Sequence, residues 1–274
     1  MQAVILAAGW GTRIGELGEV TPKPLLPLGR GCVIDSVLTS LWVEPVTQIR
    51  VVHNNHRSRV AGSWPKRFKT WAQSVRWTPE PGHNPEHPRI RLINDQVQDP
   101  EQKIGSVGDM AFAVRKNSRR DLPIVFACGD DIYSNSHLEE LAGEGSAIVV
   151  RNVNDMDPLV ESAKPSRVDV KAGMVDEVGL GAENTPWRFC GPLWLAGEDM
   201  GFLLEYADIW QKAGVVPDSI GEFIEALVSS GRPVRAVKAS TFFWTVGNKD
   251  LYKMIKKRHA PIRREVRRLR RVNT

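Results

Sequence analysis

The first apolar segment of the chain ends in residues that are suited to binding an anion. An apolar run from Ala3 to Ala8 predicts a strand that is buried on both faces. Gly9 and Gly11 follow at once, and because they carry no Cβ, backbone N–H groups there can approach an anion closely. Arg13 comes next, and Lys23 follows between two prolines that stiffen its segment. The pattern predicts a strand, an anion-binding turn and two cations directed at one place.

The spacing of the glycines excludes two common phosphate-binding motifs. No Gly-Lys-Ser/Thr follows them, so the turn is not a Walker loop, and Ile14 stands where the dinucleotide fingerprint requires Gly or Ala. The longer string is more specific. Leu6-Ala-Ala-Gly-Trp-Gly-Thr-Arg13, followed by Pro22-Lys-Pro-Leu-Leu-Pro-Leu28, closely resembles the signature of the sugar-1-phosphate nucleotidyltransferases, or nucleoside-diphosphate-sugar pyrophosphorylases. A plain turn with surface charges explains the glycines but not the arginine and lysine.

The resemblance implies transfer of a nucleoside monophosphate from an NTP to a phosphorylated acceptor, such as a sugar 1-phosphate, with release of pyrophosphate. An acceptor oxygen attacks the α-phosphorus in line, so the protein must neutralise charge and align two polyanions. The resemblance assigns catalytic roles to Arg13, Lys23 and Asp130, and Mg²⁺ to Asp130, a carboxylate of the kind this ion prefers. The residues that it assigns to the nucleotide are Leu6, Ala7, Ala8, Gly9, Gly11, Thr12, Arg13, Gly105 and Ser106.

The second half of the chain departs from the pattern of this family. The family usually carries Glu-Lys-Pro there, and its lysine binds the phosphate of the acceptor. This chain keeps Glu183 but has Asn184 in place of the lysine, and Arg188 or Lys164 are the candidates to replace that cation. Near the C-terminus, Thr245 stands where the family has a second Mg²⁺-binding aspartate. The resemblance therefore indicates an unusual acceptor, bound by Glu183, Arg188 and Gly191.

The order of apolar segments predicts an α/β fold. Strands alternate with helices, and we expect a Rossmann-like, doubly wound, mostly parallel sheet with helices on both faces and the ligand at the carboxyl ends of its strands. We expect one nucleotidyltransferase domain over residues 1–258, with an NTP-binding half (about 1–145) and an acceptor-binding half (about 146–258). A helix over 56–73 is predicted to kink or split at Pro65. Asp131 is predicted to be a turn or helix-capping residue.

Composition places the chain among ordinary globular proteins, with 42% hydrophobic and 25% charged residues. No apolar run is long enough for a membrane span, and the N-terminus lacks the features of a signal peptide, so we expect a cytoplasmic protein. Cys32, Cys128 and Cys190 lack metal-ligand spacing and are expected to be buried thiols in a reducing compartment.

The basic charge of the chain is concentrated at its end. The net charge is +5, yet Lys253–Thr274 alone carry three Lys, seven Arg and one Glu, or +9, which leaves −4 for the rest. Residues 259–274 are predicted to be a basic amphipathic helix or tail that is separable from catalysis. A solvated or self-docked helix is the plainer interpretation of this tail. A nucleic-acid partner rests on the tail alone and is not favoured.

Three hypotheses, two of them within one class of enzyme, remain open at the level of sequence. The leading hypothesis is a Mg²⁺-dependent nucleotidyltransferase acting on NTP and a phosphorylated small molecule, and homo-oligomerisation is compatible with it. A cytidylyltransferase for a phosphocholine- or phosphonate-like acceptor is a second hypothesis. A degenerate nucleotide-binding regulatory subunit is the third, but Arg13, Lys23 and Asp130 argue against it, because a pure binding protein has less need of all three. The sequence identifies neither the base nor the acceptor.

Overall fold

The computed structural model of the chain describes residues 1–43, 45–58, 62–75, 88–117, 119, 121–133, 137–161, 165–217, 219–239 and 243–258. The basic tail predicted at 259–274 lies outside these ranges, as does Lys164. The chain divides into two compact units. Unit 1 comprises Met1–Lys103, Ala127–Ser136 and Thr241–Thr274, and unit 2 comprises Ile104–Phe126 and His137–Ser240. In the described part of the chain, no helix is both long and apolar enough to cross a membrane.

The strands and helices follow one another in alternation through most of the chain. The strands are β1 Gln2–Leu6, β2 Pro27–Leu28, β3 Gly31–Cys32, β4 Gln48–His53, β5 Arg57–Ser58, β6 Gly62–Ser63, β7 Arg89–Asn94, β8 Ile124–Cys128, β9 Asp131–Tyr133, β10 Ser146–Asn152, β11 Val168–Lys171, β12 Met174–Val178, β13 Trp187–Leu195, β14 Val234–Lys238 and β15 Phe243–Thr245. The helices are α1 Glu16–Val20, α2 Val33–Leu41, α3 Trp64–Ser74, α4 Gly105–Arg115, α5 Leu138–Leu141, α6 Pro158–Glu161, α7 Met200–Lys212 and α8 Ile220–Ser229, and residues 249–258 are also helical.

Unit 1 is built on parallel strands. β4 pairs in parallel with β1 on one side and with β7 on the other, in the register Leu6↔Val52 and Val52↔Ile93. β1 is buried from Ala3 onward, and the continuous apolar run explains why this strand occupies the interior of the sheet. α2 follows because Val33, Val37 and Leu41 recur at helical spacing and are fully buried.

Unit 2 combines parallel and antiparallel pairs. β10 pairs in parallel with β14 and antiparallel with β13, while β11 and β12 form an antiparallel hairpin. The hairpin turn is Ala172-Gly173, and both residues have positive φ, as a two-residue turn between twisted strands requires. Within unit 2 the strand order is β11-β12-β14-β10-β13, followed by residues 124–126 of β8, and within unit 1 it is β1-β4-β7. The predicted α/β fold is confirmed.

Three local predictions need correction. The helix expected from residue 56 begins only at Trp64, and Pro65 lies in its first turn rather than at a kink. A proline is tolerated there because the N–H groups of the first turn have no partner within the helix. Asp131 is neither a turn nor a capping residue: it is the first residue of β9 and is buried. The thiol of Cys190 is buried as expected, whereas Cys32 and Cys128 are only partly buried.

Candidate active site

The glycine-rich turn directly follows the buried end of β1. Ala7 and Ala8 are still buried, and the Ala7 N–H donates to the Val52 carbonyl at 2.8 Å, so the chain leaves the sheet only after them. The buried Asn54 side chain then fixes the turn, because its Nδ2 donates to the Ala8 carbonyl at 2.8 Å. Gly11 has a φ of 67°, a left-handed conformation that few other residues adopt without strain.

Lys23 is held against this turn by close backbone packing. A Cβ on Gly18 would overlap the Gly11 carbonyl, which shows how tightly α1 lies on the turn. A Cβ on Gly11 would lie 3.5 Å from the Cβ of Lys23. Lys23 begins a short 3₁₀ turn, Lys23–Leu25, in which the flanking prolines limit the backbone conformations. The turn and the lysine therefore form one compact backbone unit.

Asp130 reaches the same place from β8. The Gly129 N–H donates to the Leu6 carbonyl at 2.8 Å, and a Cβ on Gly129 would lie 3.0 Å from that oxygen, so this position has almost no room for a side chain. The Asp130 carboxylate forms an ion pair with the Lys23 ammonium, with side chains that are 17% and 14% exposed, respectively. The structure thus brings together two of the three residues that the sequence predicts to be catalytic. Both remain partly accessible.

Arg13 is exposed on the 3₁₀ turn Thr12–Ile14 that continues the glycine-rich turn. Within the described residues it forms no ion pair. An exposed guanidinium at the mouth of a glycine-rich turn is available for bidentate contact with phosphate oxygens. Its position is compatible with the predicted role in binding a triphosphate.

Thr245 and Asp131 form a hydrogen-bonded pair beside Asp130. β15 pairs antiparallel with β9, and Thr245 lies directly opposite Asp131 in the register. The Thr245 hydroxyl donates to the Asp131 carboxylate, which lowers the pKa of that acid, but burial and the neighbouring Asp130 charge together raise it well above the ordinary value. The Val246 N–H donates to the Asp130 carbonyl at 2.9 Å, so β15 also fixes the backbone of Asp130.

In unit 2, Gly105 and Ser106 open helix α4. Gly105 has a φ of 69°, and a Cβ there would overlap the Pro217 carbonyl, so only glycine fits. Ser106 is half-buried in the first turn of the helix, where backbone N–H groups have no partner within the helix. Asp109, on the same helix, is buried.

The predicted acceptor-binding residues of unit 2 differ strongly in accessibility. Glu183 and Asn184 are exposed, whereas Gly191 is buried, with a φ of 137°. Arg188 is also buried, and its guanidinium is bound to the Glu161 carboxylate through Nε at 2.9 Å and Nη2 at 2.7 Å. Its Nη1 donates to the carbonyls of Thr185 and Trp187. Arg188 therefore already has partners on every side of its guanidinium.

Comparison with known families decides what this arrangement is. The family model described as nucleotidyl transferase matches residues 2–147, which include the glycine-rich turn, Lys23 and Asp130. The chain belongs to the nucleotidyl transferase family. It is therefore an enzyme, a nucleotidyltransferase, as the motif at its N-terminus predicts. A search among curated proteins finds no sequence match.

Solved structures of other proteins share the fold of this nucleotidyltransferase over nearly its whole length. A putative glucose-1-phosphate thymidylyltransferase from Bacillus anthracis is 15% identical, with a TM-score of 0.69 and 94% of each chain covered. The inositol-1-phosphate CTP transferase of T. maritima is 13% identical, with a TM-score of 0.68 and coverage of 94% of this chain and 96% of that one. The CTP:phosphocholine cytidylyltransferase of Streptococcus pneumoniae is 13% identical, with a TM-score of 0.67 and coverage of 93% and 97%. At these identities, the likeness establishes the fold alone.

The Asp130 carboxylate of this nucleotidyltransferase fits the donor chemistry of Mg²⁺ bound together with a nucleotide. The described residues contain no cluster of three or more His, Cys, Asp or Glu side chains that would hold a metal by themselves. Asp130 is partly exposed and lies next to the buried Asp131. Mg²⁺ commonly takes one or two carboxylates together with phosphate oxygens and water, and Asp130 fits that arrangement.

Several residues around the turn carry no signal in the motif. Asn54 fixes the turn through Ala8, but nothing in the sequence near Asn54 distinguishes it from a polar loop residue. Trp10, between the two glycines, forms an aromatic cluster with His56 and Trp64, with ring centroids 4.9 and 5.8 Å from that of Trp10. A large aromatic residue inside a glycine-rich turn was visible in the sequence, but its partners follow only from the tertiary structure.

Proposed function

We propose that this enzyme transfers a nucleoside monophosphate from an NTP to a phosphorylated small-molecule acceptor and releases pyrophosphate. The observation that carries the proposal is the Lys23–Asp130 ion pair at the glycine-rich turn. A cation for phosphate and a carboxylate for a metal ion lie in contact, at the end of a strand and against a turn with exposed backbone. That combination suits phosphoryl transfer between polyanions, in which positioning and charge neutralisation supply most of the catalysis.

Each group of residues in the site has a proposed role in binding the substrate. The backbone from Leu6 to Thr12, with Gly9 and Gly11, receives the triphosphate, and the exposed Arg13 binds its outer oxygens. Lys23 neutralises charge near the α-phosphate, where negative charge concentrates as the new bond forms. In unit 2, Gly105 and Ser106 present backbone groups to the base. No residue needs to form a covalent bond with the substrate.

Asp130 would hold Mg²⁺, together with oxygens of the triphosphate and water. When bound, the ion supplies positive charge that shields the phosphates and orients them for in-line attack. Lys23 forms an ion pair with the Asp130 carboxylate, so an ion held by that carboxylate would compete with the lysine, whose ammonium could then meet a phosphate. Binding of a metal ion at Asp130 and binding of a phosphate at Lys23 would therefore be coupled through this ion pair.

The acceptor is proposed to be a phosphorylated small molecule that binds beside the exposed turn of Glu183 and Asn184 in unit 2, where Arg188 and Gly191 are buried. The related proteins support this class, because their names describe a putative glucose-1-phosphate thymidylyltransferase, an inositol-1-phosphate CTP transferase and a CTP:phosphocholine cytidylyltransferase. Two of these three are CTP-dependent, and this observation favours cytidylyl transfer as a second candidate reaction. The location in the cytoplasm and the formation of homo-oligomers stay predictions.

A screen for pyrophosphate release tests the proposed function. Purified enzyme is incubated with Mg²⁺ and each of ATP, CTP, GTP, UTP and dTTP, in combination with sugar 1-phosphates, inositol 1-phosphate, phosphocholine and a phosphonate analogue. We expect release that depends on both the NTP and the acceptor, and mass spectrometry should identify the activated product. The Asp130→Asn protein is the matched negative control, because it keeps the size of the side chain but loses the charge. Release with no dependence on any acceptor, or equal release by Asp130→Asn, would contradict the proposal.

A further inference from the structure

Arg188 is a poor candidate for direct contact with a phosphate group. Its guanidinium is buried, bound to both oxygens of the Glu161 carboxylate, and donates further to two backbone carbonyls. Binding a phosphate through Arg188 would break several of these hydrogen bonds in a buried environment, where a lost partner is costly. The geometry indicates that Arg188 holds the segment Thr185–Arg188 in place and that another cation meets the substrate.

Arg167 lies directly beside Arg188. The two residues form an antiparallel bridge, so their side chains project from the same face of the strands. Arg151, on β10, is the residue opposite Arg188 on its other side, so three arginines follow one another across neighbouring strands. Arg151 and Arg188 are buried, and Arg167, at the end of the row, is exposed. The accessible end of the row is therefore Arg167.

The Arg167 guanidinium is fixed next to the predicted acceptor residues. Its Nη1 donates to the Glu183 carbonyl at 3.3 Å, and Glu183 precedes Asn184 in the exposed turn. In the part of the chain that the structure describes, Arg167 forms no ion pair, whereas Arg188 is neutralised by Glu161. An exposed guanidinium held at one nitrogen keeps its remaining N–H groups available for bidentate contact with an anion.

We propose that Arg167 binds the phosphate group of the acceptor, and that Arg188 and Glu161 position the strand beside it. The inference rests on the proposed function, since it names the residue that would recognise a phosphorylated acceptor. Arg167 places its charge at the turn that carries Asn184, an uncharged side chain that cannot supply it. The ligand class is a phosphate monoester, whose dianionic head group suits the planar fork of a guanidinium.

Steady-state kinetics separate this role from a structural one. Arg167→Ala should raise KM for the acceptor by about 10- to 100-fold, as expected when a charge-assisted contact is lost, and leave KM for the NTP within about 2-fold. Arg167→Lys keeps the charge but loses the fork, so it should recover part of this affinity. Lys238→Ala is the matched control, because Lys238 is an exposed cation that lies over the Trp187 ring. Trp187 precedes Arg188 in β13, so the two side chains project from opposite faces of that strand. It should leave both KM values unchanged.

A direct binding measurement keeps the test independent of turnover. Calorimetric titration of glycerol phosphate into the enzyme, with an unreactive NTP analogue filling the nucleotide site, should give binding that is weakened at least 10-fold by Arg167→Ala and not by Lys238→Ala. If the wild-type enzyme binds the monoester through Arg167 but shows no turnover with any acceptor, the proposed function is wrong and the phosphate site stands. Unchanged acceptor affinity in a folded Arg167→Ala protein, or equal losses in both variants, would overturn the assignment. If Arg167→Ala does not fold, unaltered affinity in Arg167→Lys and Arg167→Gln would overturn it equally.

Discussion

Replacement of Lys23 by alanine should change two measured quantities in opposite directions. Lys23 is the ion-pair partner of Asp130, the residue proposed to hold Mg²⁺. Without nucleotide, a divalent ion must displace the ammonium from the carboxylate and also approach its positive charge. Removing the ammonium should therefore strengthen binding of Mg²⁺ to the nucleotide-free enzyme. The same change should weaken catalysis, because the lysine no longer neutralises the α-phosphate.

The expected magnitudes follow from the burial of the pair. At an effective dielectric constant of about 20, which suits partly buried groups, two unit charges about 4 Å apart interact by about 4 kcal/mol. Both side chains retain some contact with water, at 14% and 17% exposure, so we expect only part of this energy to appear as Mg²⁺ affinity. A gain of about 1.4 kcal/mol or more corresponds to at least about 10-fold tighter binding. The fall in kcat/KM should be at least about 100-fold, or about 2.7 kcal/mol.

Metal affinity of the nucleotide-free enzyme is measured without any reaction, by isothermal titration calorimetry with Mg²⁺ and by electron paramagnetic resonance with Mn²⁺. Initial-rate kinetics with the substrates identified in the screen measure the second. Lys66→Ala is the control, since Lys66 is an exposed lysine of unit 1 on helix α3. It should leave both quantities unchanged. Lys23→Ala combined with Asp130→Asn should lose the gain in metal affinity. If Lys23→Ala leaves the metal affinity of the nucleotide-free enzyme unaltered, or lowers it, the proposed competition between Lys23 and Mg²⁺ is wrong.

Three further predictions concern the same unit. Arg13→Ala should lower kcat/KM by at least about 100-fold, and near-normal rates in that variant would remove Arg13 from the site. Thr245→Val should reduce turnover far less than Asp130→Asn, which should nearly abolish it, and equal loss of turnover in the two variants would contradict this expectation. Urea unfolding should show that Thr245→Val lowers the free energy of unfolding by about 1–2 kcal/mol, because the buried acceptor Asp131 loses its donor. Burial lowers the pKa of His53, so the unfolded state binds a proton at this residue more readily, and stability should fall as the pH drops below about 6.5. His53→Phe should make the free energy of unfolding less dependent on pH over that range, and an unchanged pH dependence would show that His53 is not the group responsible.

The predictable part of the fold is the part that depends on local pattern. β1 was placed to within one or two residues at each end, because it is a continuous apolar run with clear ends. The start of α3 was misplaced by eight residues, because Pro65 was expected to interrupt a longer helix. In the structure, α3 begins at Trp64, so that Pro65 lies in the first turn, where a proline is tolerated.

The predictable part of the site is the part that a short segment of chain carries by itself. The glycine-rich turn and Lys23 lie within one stretch of sequence, and their residue types already state the chemistry. The contact of Lys23 with Asp130 joins residues more than 100 positions apart, and only the resemblance placed them together beforehand. The pairing of Thr245 with Asp131 was beyond sequence reasoning, because cross-strand register decides it and no local pattern fixes that register. The contact of Asn54 with Ala8 likewise depends on the tertiary structure.

Arg188 and Arg167 show why the acceptor side is harder to predict than the nucleotide side. Arg188 was a reasonable candidate in sequence, as a cation close to the position where a lysine was missing. Its burial and its pairing with Glu161 depend on α6 and β13, which are remote in sequence from each other. Arg167 attracts no attention as a single arginine at a strand end, yet the register puts it beside Arg188 and at Glu183. A residue on another strand can thus supply the positive charge that the missing lysine would have given. Only the pairing of the strands shows which residue that is.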